Sequence, residues 1–332
     1  MRAAVLHQPG PIASQPLTIE DVPIPEPGPD EVLLRVEACG VCRTDLHIAA
    51  GDLKPQHPAI IPGHQIVGRI ERAGKGVNHL KLKARVGVSW MGGVDGDCPL
   101  CRKGLENLCD NPVFTGYSVN GGYAEYAVVR ANFCFDLPDD RSATALAPLL
   151  CAGIIGFRSL RVAGVQPGDR VGLFGFGASA HLAIEVLHHW DCQVYVATRG
   201  EEHRQLAREL GATWVGDATD KPPVLLDSAV TFAPVGSVVI SALGSLRKGG
   251  IVAINAIHLD HIPEFDYDSL LWGERQLRSV ANMTRQDAKD FISLAMEIGI
   301  TPRTRIFSLD QANEALAAIE HDEINGAAVM TP

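Results

Sequence analysis

The stretch that decides the fold runs from Pro167 to Trp190 and reads PGDRVGLFGFGASAHLAIEVLHHW. Its apolar run at 171–174 predicts a buried strand, and apolar residues at helical spacing follow, so the intervening glycines lie between a strand and a helix. Those helical positions are Leu182, Ala183, Val186, Leu187 and Trp190. In that setting Gly175, Gly177 and Ala180 form the G-x-G-x-x-A turn, which brings backbone and a helix N terminus close to a dinucleotide pyrophosphate.

The residues after the next apolar segment, Gln193 to Ala197, indicate which dinucleotide binds. A carboxylate at this place binds the ribose 2′-hydroxyl of NAD, whereas an arginine accommodates the 2′-phosphate of NADP. The sequence has Thr198 and Arg199 here, and no acid before Glu201. We therefore predict that Thr198 and Arg199 belong to the cofactor site and that NADP(H) is preferred over NAD(H). The alternative is that Arg199 stacks on the adenine or lies in solvent.

Two later apolar segments, Val238–Leu243 and Gly250–Asn255, continue the alternation of strands and helices that is typical of a parallel sheet. The sequence therefore predicts an α/β fold with a doubly wound sheet. Near the C terminus, Ser308 and Gln311 form a capping-box pattern that predicts a helix through Ile319.

Length and composition exclude several classes of protein. The 332 residues are enough for about two domains, and 46% of them are hydrophobic, which is enough for a packed core. With 29 basic and 39 acidic residues, the net charge of −10 argues against nucleic acid and anionic membranes as partners. The longest apolar stretch, Ala143–Phe157, is too short to span a bilayer. The N terminus lacks the apolar core of a secretory signal, so we expect a cytoplasmic protein.

Three of the eight cysteines lie close together in the run D95-G-D-C98-P-L-C101-R-K-G-L-E-N-L-C109. The spacing D-x2-C-x2-C-x7-C offers four ligands within one polar lobe, which is typical of a tetrahedral zinc site. A lobe with so few apolar residues has little besides a metal to order it. We predict that Asp95, Cys98, Cys101 and Cys109 bind zinc.

A second set of metal-binding residue types is dispersed: Cys42, His64 and Cys151. Two cysteines and one histidine, with the fourth position left to water or substrate, are a known ligand set of catalytic zinc. Two thiolates neutralise the charge of the ion and leave a Lewis acid suited to an oxygen ligand. Singly, each of these residues is more typical of a protein core, so the prediction rests on the three together.

Taken together, these motifs resemble a zinc-dependent alcohol dehydrogenase of the medium-chain dehydrogenase/reductase superfamily. The resemblance covers essentially the full length and rests on five segments in the family's order. They are G40-V-C-R-T-D45, G63-H-x-x-x-G68, the three-cysteine lobe, L150-C-A-G153 and the G-x-G-x-x-A turn. It implies a GroES-like, β-rich catalytic domain at 1–152 and 288–332, and a Rossmann nucleotide-binding domain at 153–287.

The resemblance also implies roles for the metal-binding residues. Cys42, His64 and Cys151 match the catalytic zinc ligands, and the lobe matches the structural zinc site, so two zinc ions per chain are expected. Asp45 matches the acid that hydrogen-bonds to the metal-binding histidine and so fixes its tautomer.

Four further residues match positions near the substrate and cofactor in the family. Thr44 matches the hydroxyl that contacts the substrate oxygen, and His47 matches the outer end of the proton relay. Arg43 falls where a basic residue contacts the pyrophosphate, and Trp90 falls where an aromatic ring lines the substrate pocket. The resemblance implies reversible hydride transfer between a small alcohol, or the matching aldehyde or ketone, and NADP(H) or NAD(H), in a homodimer or homotetramer.

Two of the departures from the family pattern concern the metal sites. Asp95 replaces a cysteine; it either binds zinc through a carboxylate oxygen or points to solvent and leaves the lobe empty or completed by water. Gln65 replaces the glutamate behind the catalytic zinc, which implies either less movement of the metal during turnover or lower activity. Two other functions remain alternatives: a zinc-free quinone oxidoreductase of the same superfamily, and a non-catalytic relative that binds zinc and nucleotide.

Overall fold

The computed structural model describes residues 1–332 and divides into two compact units. The first unit contains residues 1–151, 282–292 and 301–332, and the second contains residues 152–281 and 293–300. In each unit, buried apolar side chains form a core of its own.

The strands and helices are numbered in chain order. The strands are β1 (Arg2–Leu6), β2 (Leu17–Asp21), β3 (Glu31–Val41), β4 (Gln65–Ala73), β5 (Arg85–Val88), β6 (Met91–Gly93), β7 (Val113–Phe114), β8 (Tyr126–Arg130), β9 (Cys134–Asp136), β10 (Arg170–Phe174), β11 (Gln193–Ala197), β12 (Trp214–Gly216), β13 (Leu226–Thr231), β14 (Leu246–Ile254), β15 (Gln276–Ser279), β16 (Thr304–Ser308) and β17 (Ala327–Thr331). The helices are α1 (Arg43–Ala50), α2 (Pro99–Arg102), α3 (Ala143–Leu146), α4 (Ala152–Val162), α5 (Ala178–His189), α6 (Glu201–Glu209), α7 (Gly236–Leu243), α8 (Tyr267–Leu270), α9 (Arg285–Ile298) and α10 (Ala312–Glu320). Short 3₁₀ turns span Ile12–Ser14, Glu106–Leu108, Ala131–Phe133, Ala147–Leu150 and Leu309–Gln311.

The second unit is built on a six-stranded parallel sheet with the strand order β12-β11-β10-β13-β14-β15. The chain starts in the middle at β10, moves outward in one direction, and then returns to build the other half. This is the doubly wound order, whose reversal point creates a nucleotide-binding crevice at the carboxyl ends of the strands. Of the two later apolar segments, Val238–Leu243 lies in helix α7 and Gly250–Ile254 lies in β14.

The first unit contains a mixed, seven-stranded sheet in which the long strand β3 pairs with β4, β8 and β17. The antiparallel register between β3 and β4 places Gly40 opposite Gln65. Because Cys42 follows the end of β3 and His64 precedes β4, this pairing brings the two residues to the same end of the sheet. The capping box at Ser308 and Gln311 is present, and α10 follows it.

The unit boundaries differ from the predicted domain boundaries. The chain leaves the first unit after Cys151, whereas the predicted boundary lies one residue later. It returns to the first unit at Asn282, before the predicted residue 288. In addition, residues 293–300 group with the second unit, so the single helix α9 contributes residues to both. Domain boundaries are predicted from turn residues and glycines. A boundary inside a continuous helix has neither, so this boundary could not be predicted from the sequence.

The segment 143–162 is longer than the apolar stretch predicted from the sequence. The segment has 20 residues, and an 18-residue window within it has a mean hydropathy of 1.6, which is long and apolar enough to cross a membrane, so the argument from length is wrong. However, 67% of its most apolar window is buried inside the protein, and the 3₁₀ turn Ala147–Leu150 interrupts it. The apolar character of this segment is therefore accounted for by packing in the protein core.

Candidate active site

The dispersed ligand set comes together in the first unit. The ligand atoms of Cys42, His64 and Cys151 all lie within 4.8 Å of one another, and Cys42 Sγ is 3.4 Å from His64 Nε2. In a tetrahedral site with Zn–S of about 2.3 Å and Zn–N of about 2.0 Å, sulfur and nitrogen ligands stand about 3.5 Å apart. The three side chains therefore fit a zinc ion with one position left open for another ligand.

Asp45 orients His64 from behind. The Oδ1 atom of Asp45 lies 3.1 Å from His64 Nδ1, and both side chains are fully buried. Asp45 also accepts backbone hydrogen bonds from Cys42 at 2.9 Å and Gly63 at 3.3 Å, which lock the carboxylate in place. With Nδ1 engaged, Nε2 is the ring nitrogen that faces the two thiols, as a metal-binding histidine requires.

The charges of these groups are strongly coupled. Burial opposes the charged form of His64, but the charges of Asp45 and Cys42 outweigh it and raise the pKa of His64 to about 10. The hydrogen bond from Cys151 holds the pKa of the Cys42 thiol well below its usual range, while the pKa of Cys151 is raised by the same contact. A metal binds the deprotonated forms, so metal binding displaces protons from this cluster.

Helix α1 carries the other predicted residues of this site. Thr44 is buried in its first turn beside the Cys42 thiol, and His47 lies one turn later on the same face. The ring of His47 contacts a residue that the sequence analysis missed: its Nδ1 atom is 2.7 Å from Oδ2 of Asp52. Arg43 is exposed, and its guanidinium lies 3.4 Å from the carbonyl oxygen of Ile319.

Gly51 explains why Asp52 meets His47. Gly51 ends α1 in the left-handed region with φ of 89°, and its N–H donates to the carbonyl groups of His47 and Ile48. This turn folds the following residue back onto the last turn of the helix. A glycine followed by an acid after the histidine is the signal that the sequence contains, at H47-x3-G51-D52.

Three aromatic rings form a wall next to the metal cluster. Trp90 meets His64 edge-on, with ring centroids 5.1 Å apart, and stacks on Phe114 at 4.7 Å. Tyr117 extends the stack, with its centroid 6.0 Å from that of Trp90. Of these three rings, only Trp90 was predicted from the sequence, because the stack depends on the pairing of β6 with β7. We call Trp90, Phe114 and Tyr117 the aromatic wall.

The four ligand atoms of the predicted structural site also converge. Asp95, Cys98, Cys101 and Cys109 offer atoms that all lie within 4.8 Å of one another. Sulfur and oxygen ligands of tetrahedral zinc stand about 3.6 to 3.8 Å apart, so a small contraction around the ion satisfies the geometry. The residues fit a zinc ion bound by one carboxylate and three thiolates.

Asp95 has a second role, because its carboxylate organises the backbone of the lobe. Its Oδ1 atom accepts hydrogen bonds from the N–H groups of Asp97 and Cys98, both at 3.1 Å, and its Oδ2 atom accepts one from Asn111 at 3.0 Å. These bonds, that of Asn111 first, hold the pKa of Asp95 well below its usual range. The carboxylate is therefore ionised and turned toward the cysteines, which argues against the alternative that it points to solvent.

An ion pair anchors the lobe to the segment that returns from the second unit. The guanidinium of Arg285 donates two hydrogen bonds to Oε2 of Glu106, at 2.7 and 3.0 Å, and lies 4.7 Å above the ring of Phe133. Burial opposes ionisation of Glu106, but the bonds from Arg285 outweigh it and lower the pKa of Glu106.

Replacing Glu106 with Gln is expected to lower the free energy of unfolding by about 1 to 2 kcal/mol at pH 7. Hydrogen bonds to charged groups contribute about 1.5 to 3 kcal/mol, and the partial exposure of Arg285 reduces this value. A carboxylate with a lowered folded pKa stabilises fully above its unfolded pKa of about 4.3, and this contribution is lost as the pH falls through the folded value. Denaturant titrations should therefore show the difference at pH 7 and little of it at pH 3. Glu71→Gln is the matched control, because Glu71 pairs with the exposed Lys83. An equal loss in both variants would contradict the anchoring role.

The dinucleotide turn of the second unit has the predicted form. Gly175 has φ of 94°, and a Cβ atom there would lie 2.9 Å from the backbone nitrogen of Ala233, so glycine is required. At Gly177, which precedes α5, a Cβ would meet no atom within 4 Å. The space in front of this helix N terminus is open to a phosphate group. Ala180 is buried within α5.

At the end of β11, Thr198 and Arg199 have different surroundings. Thr198 is buried, and its Oγ1 atom accepts a hydrogen bond from the backbone N–H of Phe176 at 3.1 Å, so it supports the glycine turn from inside. Arg199 is exposed, and no carboxylate of the chain pairs with it. The nearby acid, Glu201, is held by Arg204 at 2.9 Å and by Arg208 at 2.7 Å.

Comparison with known proteins decides the family. The alcohol dehydrogenase GroES-like domain model matches residues 28–139, and the zinc-binding dehydrogenase model matches residues 180–297. A probable alcohol dehydrogenase, AdhA, from Mycobacterium tuberculosis is 45% identical over 99% of this chain and 97% of its own length. The chain belongs to the zinc-type alcohol dehydrogenases of the medium-chain dehydrogenase/reductase superfamily.

Solved structures agree with this assignment. The alcohol dehydrogenase of the archaeon Aeropyrum pernix is 29% identical, with a TM-score of 0.89 and full coverage of both chains. A cobalt- and zinc-bound thermostable alcohol dehydrogenase from Pyrobaculum aerophilum is 25% identical, with a TM-score of 0.88, and covers 100% of this chain and 99% of its own. The family, the fold class and the enzyme class predicted from the sequence are confirmed: this alcohol dehydrogenase has a GroES-like domain and a Rossmann domain and uses a nicotinamide cofactor.

The structure shows how Gln65, which replaces the family's glutamate, is accommodated in this alcohol dehydrogenase. The side chain is buried, and its amide lies over Gly40 on the neighbouring strand β3. A Cβ atom at Gly40 would stand 2.7 to 2.9 Å from the amide atoms of Gln65, so the glycine makes room for the side chain. The side chain of Gln65 therefore packs against β3, directly after the predicted metal ligand His64.

Proposed function

We propose that this enzyme oxidises small alcohols, and reduces the matching aldehydes or ketones, with NADP(H) as the preferred cofactor and two zinc ions per chain. The observation that carries the proposal is the convergence of Cys42, His64 and Cys151 around one point, with Asp45 orienting the histidine. The related enzyme from Pyrobaculum aerophilum is described as cobalt- and zinc-bound, which supports zinc as the metal. When bound, zinc supplies a Lewis acid that lowers the pKa of a coordinated hydroxyl group.

The proton of the substrate hydroxyl leaves through side chains of α1. The hydroxyl of Thr44, which contacts the Cys42 thiol, accepts the substrate proton and begins the route that ends at His47. Asp52 accepts a hydrogen bond from Nδ1 of His47, so Nε2 is the nitrogen that receives the proton and passes it to solvent. The nicotinamide ring supplies the hydride acceptor when the cofactor is bound.

The cofactor preference rests on the charges at the end of β11. Arg199 is an unpaired, exposed cation, and the acid that would select NAD by binding a ribose hydroxyl is absent from this position. Glu201 does not take that place, because Arg204 and Arg208 both hold its carboxylate. The site therefore presents positive charge to the 2′-position of the ribose.

A single assay tests the proposed activity. Purified enzyme with measured zinc content is incubated with a panel of alcohols and either cofactor, with and without a chelator. We expect alcohol-dependent formation of NADPH that the chelator abolishes and added zinc restores. Quinone reduction that resists the chelator would indicate the zinc-free oxidoreductase, and cofactor binding without turnover would indicate the non-catalytic relative.

The two-zinc proposal has its own test. Native protein is expected to retain two zinc ions per chain after dialysis, and Asp95→Asn is expected to retain one. Asparagine can still accept the backbone hydrogen bonds of Asp97 and Cys98, but it removes the ionised ligand. Asp97→Asn is the matched control, since its carboxylate is not part of the cluster. One ion per chain in the native protein would refute the proposal.

We also propose that the enzyme forms a homodimer or homotetramer in the cytoplasm. Strand β15 is an edge of the second unit's sheet, and Tyr267 and Trp272 near it are more than half exposed, which is typical of a surface that pairs with another chain. All eight cysteines are free, as expected in a reducing compartment. Light scattering after size-exclusion chromatography measures the assembly, and a monomeric mass would contradict it.

A further inference from the structure

The orientation of the aromatic wall depends on one residue that is distant in sequence. The indole N–H of Trp90 donates a hydrogen bond to Oδ1 of Asn282 at 3.1 Å. The same amide donates through Nδ2 to the backbone carbonyl of Asn107 at 2.9 Å. The amide oxygen of Asn282 therefore bonds to the aromatic wall, and its amide nitrogen bonds to the metal-binding lobe.

The backbone at Asn282 suits this role. Its φ of 54° lies in the left-handed region, which asparagine tolerates better than most residues. Asn282 is also the first residue of the segment that returns to the first unit. Its neighbours are tied down in the same place, since Ser89 donates to Sδ of Met283 and Arg285 pairs with Glu106. The amide is thus held on a fixed support.

The indole N–H is the only polar group of the Trp90 side chain, so the hydrogen bond to Asn282 is its one polar anchor. Phe114 and Tyr117 stack on its face, which fixes the tilt of the ring and leaves a change of χ1 as the motion that would slide the indole across the stack. A hydrogen bond to the ring nitrogen removes that freedom. Asn282 therefore holds the indole in the placement that sets its ring centroid 5.1 Å from that of His64.

We propose that Asn282 is a specificity-determining positioning residue, which holds Trp90 so that the aromatic wall favours planar, unsaturated alcohols over linear, saturated ones. The proposal rests on the role of Trp90 as a wall of the substrate pocket. Trp90 is nearly parallel to Phe114 and Tyr117, at 17° and 21°, and a planar aryl or allylic group gains from contact with such rings; ring contacts of this kind discriminate by about three- to tenfold. A linear alkyl chain gains little from the same geometry.

The test is a double-mutant cycle between Asn282 and Trp90. Asn282→Gly removes the amide but keeps the left-handed backbone free of strain, and Trp90→Phe removes the indole N–H but keeps a stacking ring. The readout is the ratio of kcat/KM for benzyl alcohol to that for 1-hexanol, measured with whichever cofactor gives the higher rate. We expect the ratio to fall about three- to tenfold in Asn282→Gly. We expect no further fall when Asn282→Gly is added to Trp90→Phe.

A second readout does not depend on turnover. The chain has four tryptophans, and the loss of the hydrogen bond should change the fluorescence emission of Trp90 alone. The difference spectrum between native enzyme and Asn282→Gly should therefore vanish when both proteins carry Trp90→Phe.

Four results separate the possible failures. A ratio that stays within twofold of native in Asn282→Gly overturns the proposal, and so does an equal fall in the Trp90→Phe background. If Trp90→Ala leaves the ratio unchanged, the wall itself has no part in substrate choice and the proposal fails at that step. Absence of any alcohol oxidation by the native enzyme would instead contradict the proposed function.

Discussion

Cys42→Ser is expected to lower kcat by about 10³-fold or more, because the Lewis acid contributes several kcal/mol to the reaction and each 1.36 kcal/mol is a factor of ten. The Sγ atom of Cys42 lies 3.4 Å from His64 Nε2, and a neutral serine hydroxyl is a poor substitute for a thiolate. The variant should contain one zinc ion per chain where the native enzyme contains two. The measurements are turnover with saturating alcohol and the metal content of the same sample. His64→Ala should give the same result.

The fold and cofactor binding should survive this substitution. The dinucleotide turn belongs to the second unit, whereas Cys42 lies in the first. Cys134→Ser is the matched control, because Cys134 is also a partly buried thiol but belongs to no metal cluster. It should keep native turnover and two zinc ions. Native turnover in Cys42→Ser of verified metal content would remove the proposed centre.

Arg199→Ala is expected to lower kcat/KM for NADPH by about 10- to 100-fold, since a charged hydrogen bond contributes about 1.5 to 3 kcal/mol and 1.4 kcal/mol is a factor of ten. The value for NADH should change less than twofold, because NADH lacks the phosphate. The effect follows from the surroundings of Arg199: no carboxylate of the chain competes for the guanidinium. Steady-state kinetics with both cofactors, at one fixed ionic strength, measure the two values.

The control for Arg199 is another exposed arginine of the second unit. Arg247 pairs with Asp227, so Arg247→Ala changes the net charge equally while leaving the cofactor turn intact. Both cofactors should then keep their native values within twofold. The prediction is wrong if the native enzyme favours NAD over NADP by tenfold or more, or if Arg199→Ala weakens both cofactors equally.

The residues that sequence reasoning located best are those whose chemistry is local. Asp95 and the three lobe cysteines lie within 15 positions of one another, and a short segment can close around one point only in a few ways. The glycine turn is local in the same sense, since a strand, two glycines and a helix follow each other directly. In both places the structure brings together the residues that the spacing indicates.

The dispersed ligands needed more than spacing. Cys42, His64 and Cys151 span more than 100 positions, and it is the antiparallel pairing of β3 with β4 that brings the first two together. Their residue types matched a known ligand set of catalytic zinc, and the family resemblance then gave each of them its role. The roles of Asp52 and Asn282 were not available in that way, because each depends on a left-handed backbone turn or a contact between distant segments.

By itself, the sequence determined the α/β class, the dinucleotide turn, the composition of both metal clusters and the family, since each of these depends on residue types at short spacing or on the order of several motifs. Tertiary structure alone decided which amide holds the indole of Trp90, which carboxylate supports His47, and that Glu201 pairs with Arg204 and Arg208. The physical reason is that hydrogen bonds and ion pairs select among partners only after packing has fixed the distances. A sequence shows which groups are present, and the folded chain decides which of them meet.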